Sequence, residues 1–188
     1  MRFLFLVLFL PVFVNAQTVT QQISKAETDL ILLNKKQDSL LVKLEDLKFQ
    51  LIHENLDKTG LPKLLPGEEV VYHSAYALVY AEPYEQAKWV AHIILPDVVK
   101  GNEGRSNDFR PDDKIKTGSA VEADYFLKTL QPDSTFKYDA FGYDRGHLAP
   151  SADFRYSKKA LSESYLYSNM SPQVAKLNRE RWAELEDN

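Results

Sequence analysis

Hydrophobic and polar positions follow two different rhythms along this chain. From Thr20 to about Asn55 the sequence is rich in Leu, Lys, Glu, Asp and Gln and contains no Gly or Pro. Ile23, Leu30, Gln37, Leu44 and Leu51 recur every seventh residue, and Ala26, Leu33, Leu40 and Leu47 form a second series. A seven-residue apolar repeat is the a/d seam of a coiled coil, and here it is sustained over about four heptads. Gln37 interrupts the a series with a polar side chain, a device that fixes register. The pattern also fits a long amphipathic helix packed back on the rest of the chain. On either reading residues 17–57 space or oligomerise, and a homo-oligomer through residues 20–55 is one expected assembly.

Gly60, Pro62, Pro66 and Gly67 then punctuate a linker over residues 58–69. Beyond it the rhythm changes. Tyr76 to Ala81 and Lys88 to Leu95 are rich in β-branched, aromatic and aliphatic residues on either side of Glu82-Pro83, which predicts a β-hairpin. Ser157 to Ser164 predicts a short helix with Ser157 as its N-cap. The fold class is therefore α+β. His92 alternates with Val90 and Ile94 and reads as a sheet-face residue, while His53 and His73 lack recognisable partners.

The first sixteen residues follow neither rhythm. Met1-Arg2, an apolar run from Phe3 to Val14 and the small-residue end Asn15-Ala16 have the three parts of a secretory leader. The run is short for a membrane span. Cleavage after Ala16 and a secreted or periplasmic location are expected, with an uncleaved anchor as the alternative. The chain has no cysteine, which excludes disulfides, a thiolate zinc site and a cysteine nucleophile. Its formal net charge of −4 does not advertise nucleic-acid binding. Local charge differs from the sum, however: Arg145, Arg155, Lys158 and Lys159 cluster in one segment, and Arg105, Arg110, Lys114 and Lys116 in another.

The densest chemistry lies in Gly142-Tyr143-Asp144-Arg145-Gly146-His147-Leu148-Ala149-Pro150. A neutral imidazole takes a proton from water at ordinary pH, and a guanidinium fork suits phosphate oxygens. Gly146 permits close backbone approach, and Pro150 turns Ala149 away from helix, so His147 is predicted at a strand-to-loop transition. A surface turn with an internal ion pair is the plain alternative. Downstream, if residues 177–186 are helical, Asn178, Trp182 and Glu186 share one face at i, i+4 and i+8. An amide oxygen and a carboxylate would suit a hard cation such as Mg²⁺, which keeps most of its waters. Asn178 also reads as a helix N-cap and Glu186 as a solvated charge.

Taken in order, these segments resemble the DNA/RNA non-specific endonuclease family of ββα-metal (His-Me finger) nucleases. The resemblance is strong from Asp144 to Glu186 and continues upstream through Tyr76–Tyr80, Lys88–Ala91 and Gly104–Asp112. It implies a nuclease domain over residues 70–188 that hydrolyses phosphodiester bonds in DNA and RNA, leaving 5′-phosphate and 3′-hydroxyl ends. It implies His147 as general base, Asn178 as direct ligand of Mg²⁺ (Mn²⁺ as an alternative), and Glu186 acting on the metal through water. Asn169 would orient the site around His147, Asp144 would support the loop, and Arg105 and Arg145 would contact phosphate. Arg110 competes with Arg105 for that place.

Two departures accompany the resemblance. Residues 126–140 are longer than the family's spacing between the residue matched by Tyr125 and the motif glycine, and are expected to form a surface insertion with a loop at Pro132-Asp133-Ser134. The family pattern also continues beyond the helix that carries Asn178 with a further arginine and strands, so the domain is expected to lack its usual C-terminal part. A truncated, non-catalytic remnant or a coiled-coil interaction protein is the alternative to a nuclease.

Overall fold

The computed structural model describes residues 18–138 and 142–186. The leader expected over residues 1–16 lies outside the described residues. The chain divides into two compact units, residues 1–44 and 45–188.

One helix, α1 (Val19–Thr59), contributes to both. Its start is a reciprocal cap in which the Thr18 N–H donates to Gln21 Oε1 and the Gln21 N–H donates back to Thr18 Oγ1. Its end is set by Gly60, whose φ of 99° places it in the left-handed region while its N–H donates to the Leu56 carbonyl at 3.1 Å. Within the first unit every described residue is exposed. In the second unit Phe49, Ile52 and Leu56 of α1 are buried in the core at 5%, 2% and 4% exposure.

The second unit is an α+β assembly. Strands β1 (Val70–Tyr72), β2 (Tyr76–Ala81) and β3 (Gln86–His92) form an antiparallel sheet in the order β1-β2-β3, with a bulge between Val79 and Tyr80. The expected hairpin is present, shifted at its second strand from residues 88–95 to 86–92. Gln86 and Ala87 pair with Ala81 and Tyr80, and Pro96 opens a short 3-10 helix soon after the strand ends. The segment 126–140, expected to be a surface insertion, contains a second hairpin, β4 (Lys128–Leu130) with β5 (Phe136–Tyr138). Its loop includes Pro132, Asp133 and Ser134, with Ser134 at a φ of 65°.

The third ladder positions the site. β6 (Asp144–His147) runs antiparallel to β7 (Met170–Gln173), with His147 opposite Met170 and Asp144 opposite Gln173. At Gly146 the Gln173 side chain approaches the backbone closely, and a Cβ there would lie 2.2 Å from it and force it to shift. Between these strands sits α2 (Lys158–Glu163), capped by Ser157, whose hydroxyl accepts from the Ala160 N–H at 3.1 Å. The larger core joins the α1 residues to Tyr76, Leu78, Phe154, Leu161 and Tyr165. A smaller core joins Tyr125, Tyr167 and Met170.

The three histidines outside the motif all have partners, correcting the expectation for His53 and His73. His73 Nε2 lies 2.9 Å from Asp112 Oδ2, and both residues are buried. His53 donates to the His73 carbonyl at 2.6 Å, and His92 pairs with Asp153 at 2.8 Å. These partners stand 20 to 61 positions away, beyond any local pattern.

Candidate active site

His147 closes β6, at the boundary between strand and loop. It is 8% exposed, and no described group bonds its Nε2. Tyr165 packs edge-on against the imidazole at 4.9 Å, and Phe109 lies tilted to it at 6.0 Å. Burial among these rings, with the positive charge of Arg105 second, pushes the His147 pKa down to about 4. The imidazole is therefore neutral at physiological pH and retains a lone pair.

The backbone around it is pinned from two sides. Trp182 Nε1 donates to the His147 carbonyl at 3.1 Å. Asn169, fully buried, accepts from the Ala149 N–H at 2.9 Å and donates to the carbonyls of Ala149 and Ser164 at 3.0 and 2.8 Å. The Leu148 N–H adds a bond to the Asn169 carbonyl at 2.9 Å. One side chain thus satisfies both polar groups of Ala149, two residues beyond the histidine.

Arg145 alternates with Gly146 and so shares a strand face with His147. Its guanidinium carbon sits 4.0 Å above the Phe109 ring, and Nη1 reaches Glu122 at 3.2 Å. Arg105 donates to the Tyr165 hydroxyl at 3.2 Å. Arg110 is committed elsewhere, to Asp108 and to the Ser162 carbonyl at 2.9 Å each. The basic cluster read from the sequence is partly spent on the protein itself. Lys114 donates to the Tyr72 carbonyl, Lys116 pairs with Glu69, and Arg155 donates to the Glu103 carbonyl.

The segment bearing Asn178 departs from the expected regular helix. Leu177–Trp182 is a π-helix, followed by α3 (Ala183–Glu186). The α-helical spacing that would stack Asn178, Trp182 and Glu186 therefore does not hold, because a π turn is wider. Asn178 reaches Asp144 at the start of β6 while Trp182 reaches the His147 carbonyl at its end. Asn178 is not an N-cap, since its own N–H bonds the Val174 carbonyl at 3.0 Å. The Glu186 side chain lies outside the described residues.

Asp144 links strand and helix. It accepts from Arg179 Nε and Nη2 at 2.8 and 2.7 Å and from Asn178 Nδ2 at 3.0 Å. The Arg179 bonds first and the Asn178 bond after them hold its carboxyl below the ordinary aspartate range, against the opposing effect of burial. An ionised carboxylate only accepts, so the amide group facing it is the NH₂ of Asn178. The Asn178 Oδ1 is thereby turned away from Asp144, and no described group donates to it.

That donor set fits a hydrated hard cation. Among the described residues no three His, Cys, Asp or Glu cluster as a metal site. Mg²⁺ needs no such cage, because it keeps several waters and is satisfied by one or two protein oxygens. The Asn178 carboxamide, oriented by Asp144, is a group of the kind such a cation accepts. Phe109, Tyr165 and Arg179 belong to this arrangement although sequence reasoning gave them no role. Arg179 follows Asn178 directly, but only the fold brings it to Asp144, 35 positions away.

Comparison with known proteins identifies the family. The family described as DNA/RNA non-specific endonuclease matches residues 58–188. Human mitochondrial endonuclease G is 35% identical over 133 residues, covering 70% of this chain and 39% of that protein. A nuclease of Nostoc sp. is 34% identical over 125 residues, covering 66% of this chain and 41% of that one. A crystal structure of the EndoG/EndoGI complex superposes with a TM-score of 0.56 at 32% identity, over 69% of this chain and 49% of that one. The chain thus spans about two fifths of the length of these curated relatives. It belongs to the DNA/RNA non-specific endonuclease family.

Proposed function

We propose that this chain is a Mg²⁺-dependent nuclease that hydrolyses phosphodiester bonds in DNA and RNA with little sequence preference. The observation that carries the reading is His147, a buried and neutral base at the end of β6 whose Nε2 no described group bonds, on the strand whose first residue, Asp144, orients the Asn178 amide. Nε2 takes the proton from a water as its oxygen attacks phosphorus. The P–O3′ bond breaks, and a proton from a solvent water completes the 3′-hydroxyl while the phosphate stays on the 5′ side.

Arg145 and Arg105 bind non-bridging oxygens and offset the charge that grows on them. Arg145 is freed for this by exchanging its partly exposed Glu122 contact for phosphate. Asn169 and Trp182 hold the imidazole in place, which lowers the cost of orienting base and water. Asn178 would hold the metal directly and Glu186 through water; when bound, the cation stabilises the leaving oxygen and the phosphate charge. Contacts confined to phosphate and sugar read no bases, which accounts for a broad substrate range.

The experiment is cleavage of plasmid DNA and of RNA by the purified chain with and without Mg²⁺. Activity with Mg²⁺, its loss on chelation and its loss in His147→Ala support the reading; undiminished cleavage by His147→Ala overturns it. The leader-like residues 1–16 further support export to a secreted or periplasmic location. Intact mass of exported protein beginning at Gln17 checks that part, and a retained leader contradicts it.

A further inference from the structure

Two faces of α1 are used differently. In the second unit Phe49, Ile52 and Leu56 are buried in the core. At about 100° per residue, Phe49 lies roughly 200° around the helix from both Leu47 and Leu51. The face that packs is therefore not the heptad face. Leu47 and Leu51 remain 49% and 55% exposed. In the first unit Leu30, Leu33, Leu40 and Leu44 are 52% to 62% exposed in the same a/d register. A stripe of large apolar side chains that the chain's own core does not use marks an interaction surface.

We propose that this stripe is the seam of a parallel, in-register two-stranded coiled coil with a second copy of this chain. The area suffices. Burying a Leu or Ile removes roughly 60–120 Å² of apolar surface, so seven such residues from each copy cover about 800–1,700 Å² in all, against about 1,000 Å² for a stable interface. Gln37 sets the alignment. In a parallel pair it meets the Gln37 of the other copy and their amides bond each other, whereas an antiparallel pair over the same heptads sets it against Leu40.

Charge discriminates little. The parallel arrangement brings Lys43 near Lys48 across the seam, and the exposed pair of Lys48 with Asp97 at 2.6 Å offsets part of that repulsion.

The chain has no cysteine, so an introduced thiol reports orientation without background. Under mild oxidation Ala26→Cys should form a disulfide-linked dimer. In the antiparallel pair the two Ala26 positions are about 37 Å apart, and only a mixture of Ala26→Cys with Leu51→Cys would give heterodimer in place of each homodimer. Sedimentation of the unmodified chain at tens of micromolar should give twice the chain mass. Leu33→Asp with Leu40→Asp should return it to one chain mass, whereas Ile31→Asp, exposed but off the seam, should not. Unchanged tryptophan-fluorescence melting of these variants shows that the second unit is still folded. A monomer at that concentration, a trimer, or cross-linking only in the mixed sample overturns the proposal.

Discussion

Two regions bury a histidine in this molecule and treat it oppositely. At the end of β1, His73 is 1% exposed and faces Asp112, which is 3% exposed and also accepts from Ser168 Oγ at 2.5 Å and from the Lys114 N–H at 2.9 Å. At the end of β6, His147 is 8% exposed, faces two aromatic rings, and no described group bonds its Nε2. A buried polar atom without a partner is costly, so a fold retains it only where something else is gained. The first region is a fully satisfied hub that joins β1, the loop at Asp112 and the turn before β7. The second is held rigid around its histidine through the backbone, leaving the ring itself uncommitted. The two histidines thus differ in kind: one is bonded into the core, the other keeps its Nε2 unbonded by any described group.

The comparison breaks most severely if His147 proves dispensable. His147→Ala should lower nucleic-acid cleavage by about 10²–10⁴-fold, the usual contribution of a positioned base. Its melting temperature should fall less than that of a variant at the bonded His73, since no described group bonds the His147 Nε2. Initial rates on plasmid and thermal melts of one preparation check both. Retained activity, or unfolding, would place His147 in the same class as His73.

Asp112→Ala probes the hub and should behave in the opposite sense. Removing the carboxylate strands His73 Nε2, Ser168 Oγ and the Lys114 N–H in a dry core, at a cost of about 3–5 kcal/mol. Chemical denaturation should show that loss. The fraction still folded should cleave at a rate close to that of the unsubstituted chain. A variant of undiminished stability would show that the hub is not structural.

Asp144→Asn tests the link between rigidity and chemistry. Asparagine cannot accept the bidentate Arg179 fork and the Asn178 amide together, so the Asn178 carboxamide becomes free to turn. A partner that orients a metal ligand is worth about 10–100-fold in metal affinity. The Mg²⁺ concentration for half-maximal cleavage should rise by that factor, with a smaller change in the rate at saturating Mg²⁺. An unchanged Mg²⁺ requirement would detach Asp144 from the metal centre.

How far these differences are legible in sequence depends on the range of the forces involved. Local determinants read well. The β-branched and aromatic composition of β2 and β3 about Glu82-Pro83, the Ser157 cap and the strand end at His147 all rest on interactions spanning a few residues. The β4–β5 hairpin was hidden because its strands are three residues each and show no clear alternation. The π-helix at Leu177 was hidden because nothing in 3.6-residue periodicity announces a wider turn. The hub was invisible because His73, Asp112 and Ser168 are 39 and 56 positions apart. The neutral state of His147 depends on burial by Phe109 and Tyr165, which no spacing rule assigns.

The most selective effect is the pH dependence of stability. Folding depresses the His147 pKa from 6.5 to about 4, so the unfolded chain binds its proton first as pH falls. Stability is complete above pH 6.5, declines between there and about pH 4, and loses about 3 kcal/mol by the lower limit. Asp112 acts later. Burial raises its pKa, but the bonds from His73 and Ser168 and the Lys114 N–H outweigh that and leave it below the ordinary 3.8. Its contribution is present above pH 3.8 and is lost only as pH falls through the depressed value. Denaturant midpoints measured from pH 7.5 to 3 should therefore decline less steeply between 6.5 and 4 in His147→Ala than in the unsubstituted chain. Below pH 3.8 the two should fall in parallel. Parallel curves across the upper window would mean that the imidazole is hydrated in solution, and the contrast between the two histidines would then be one of partners alone.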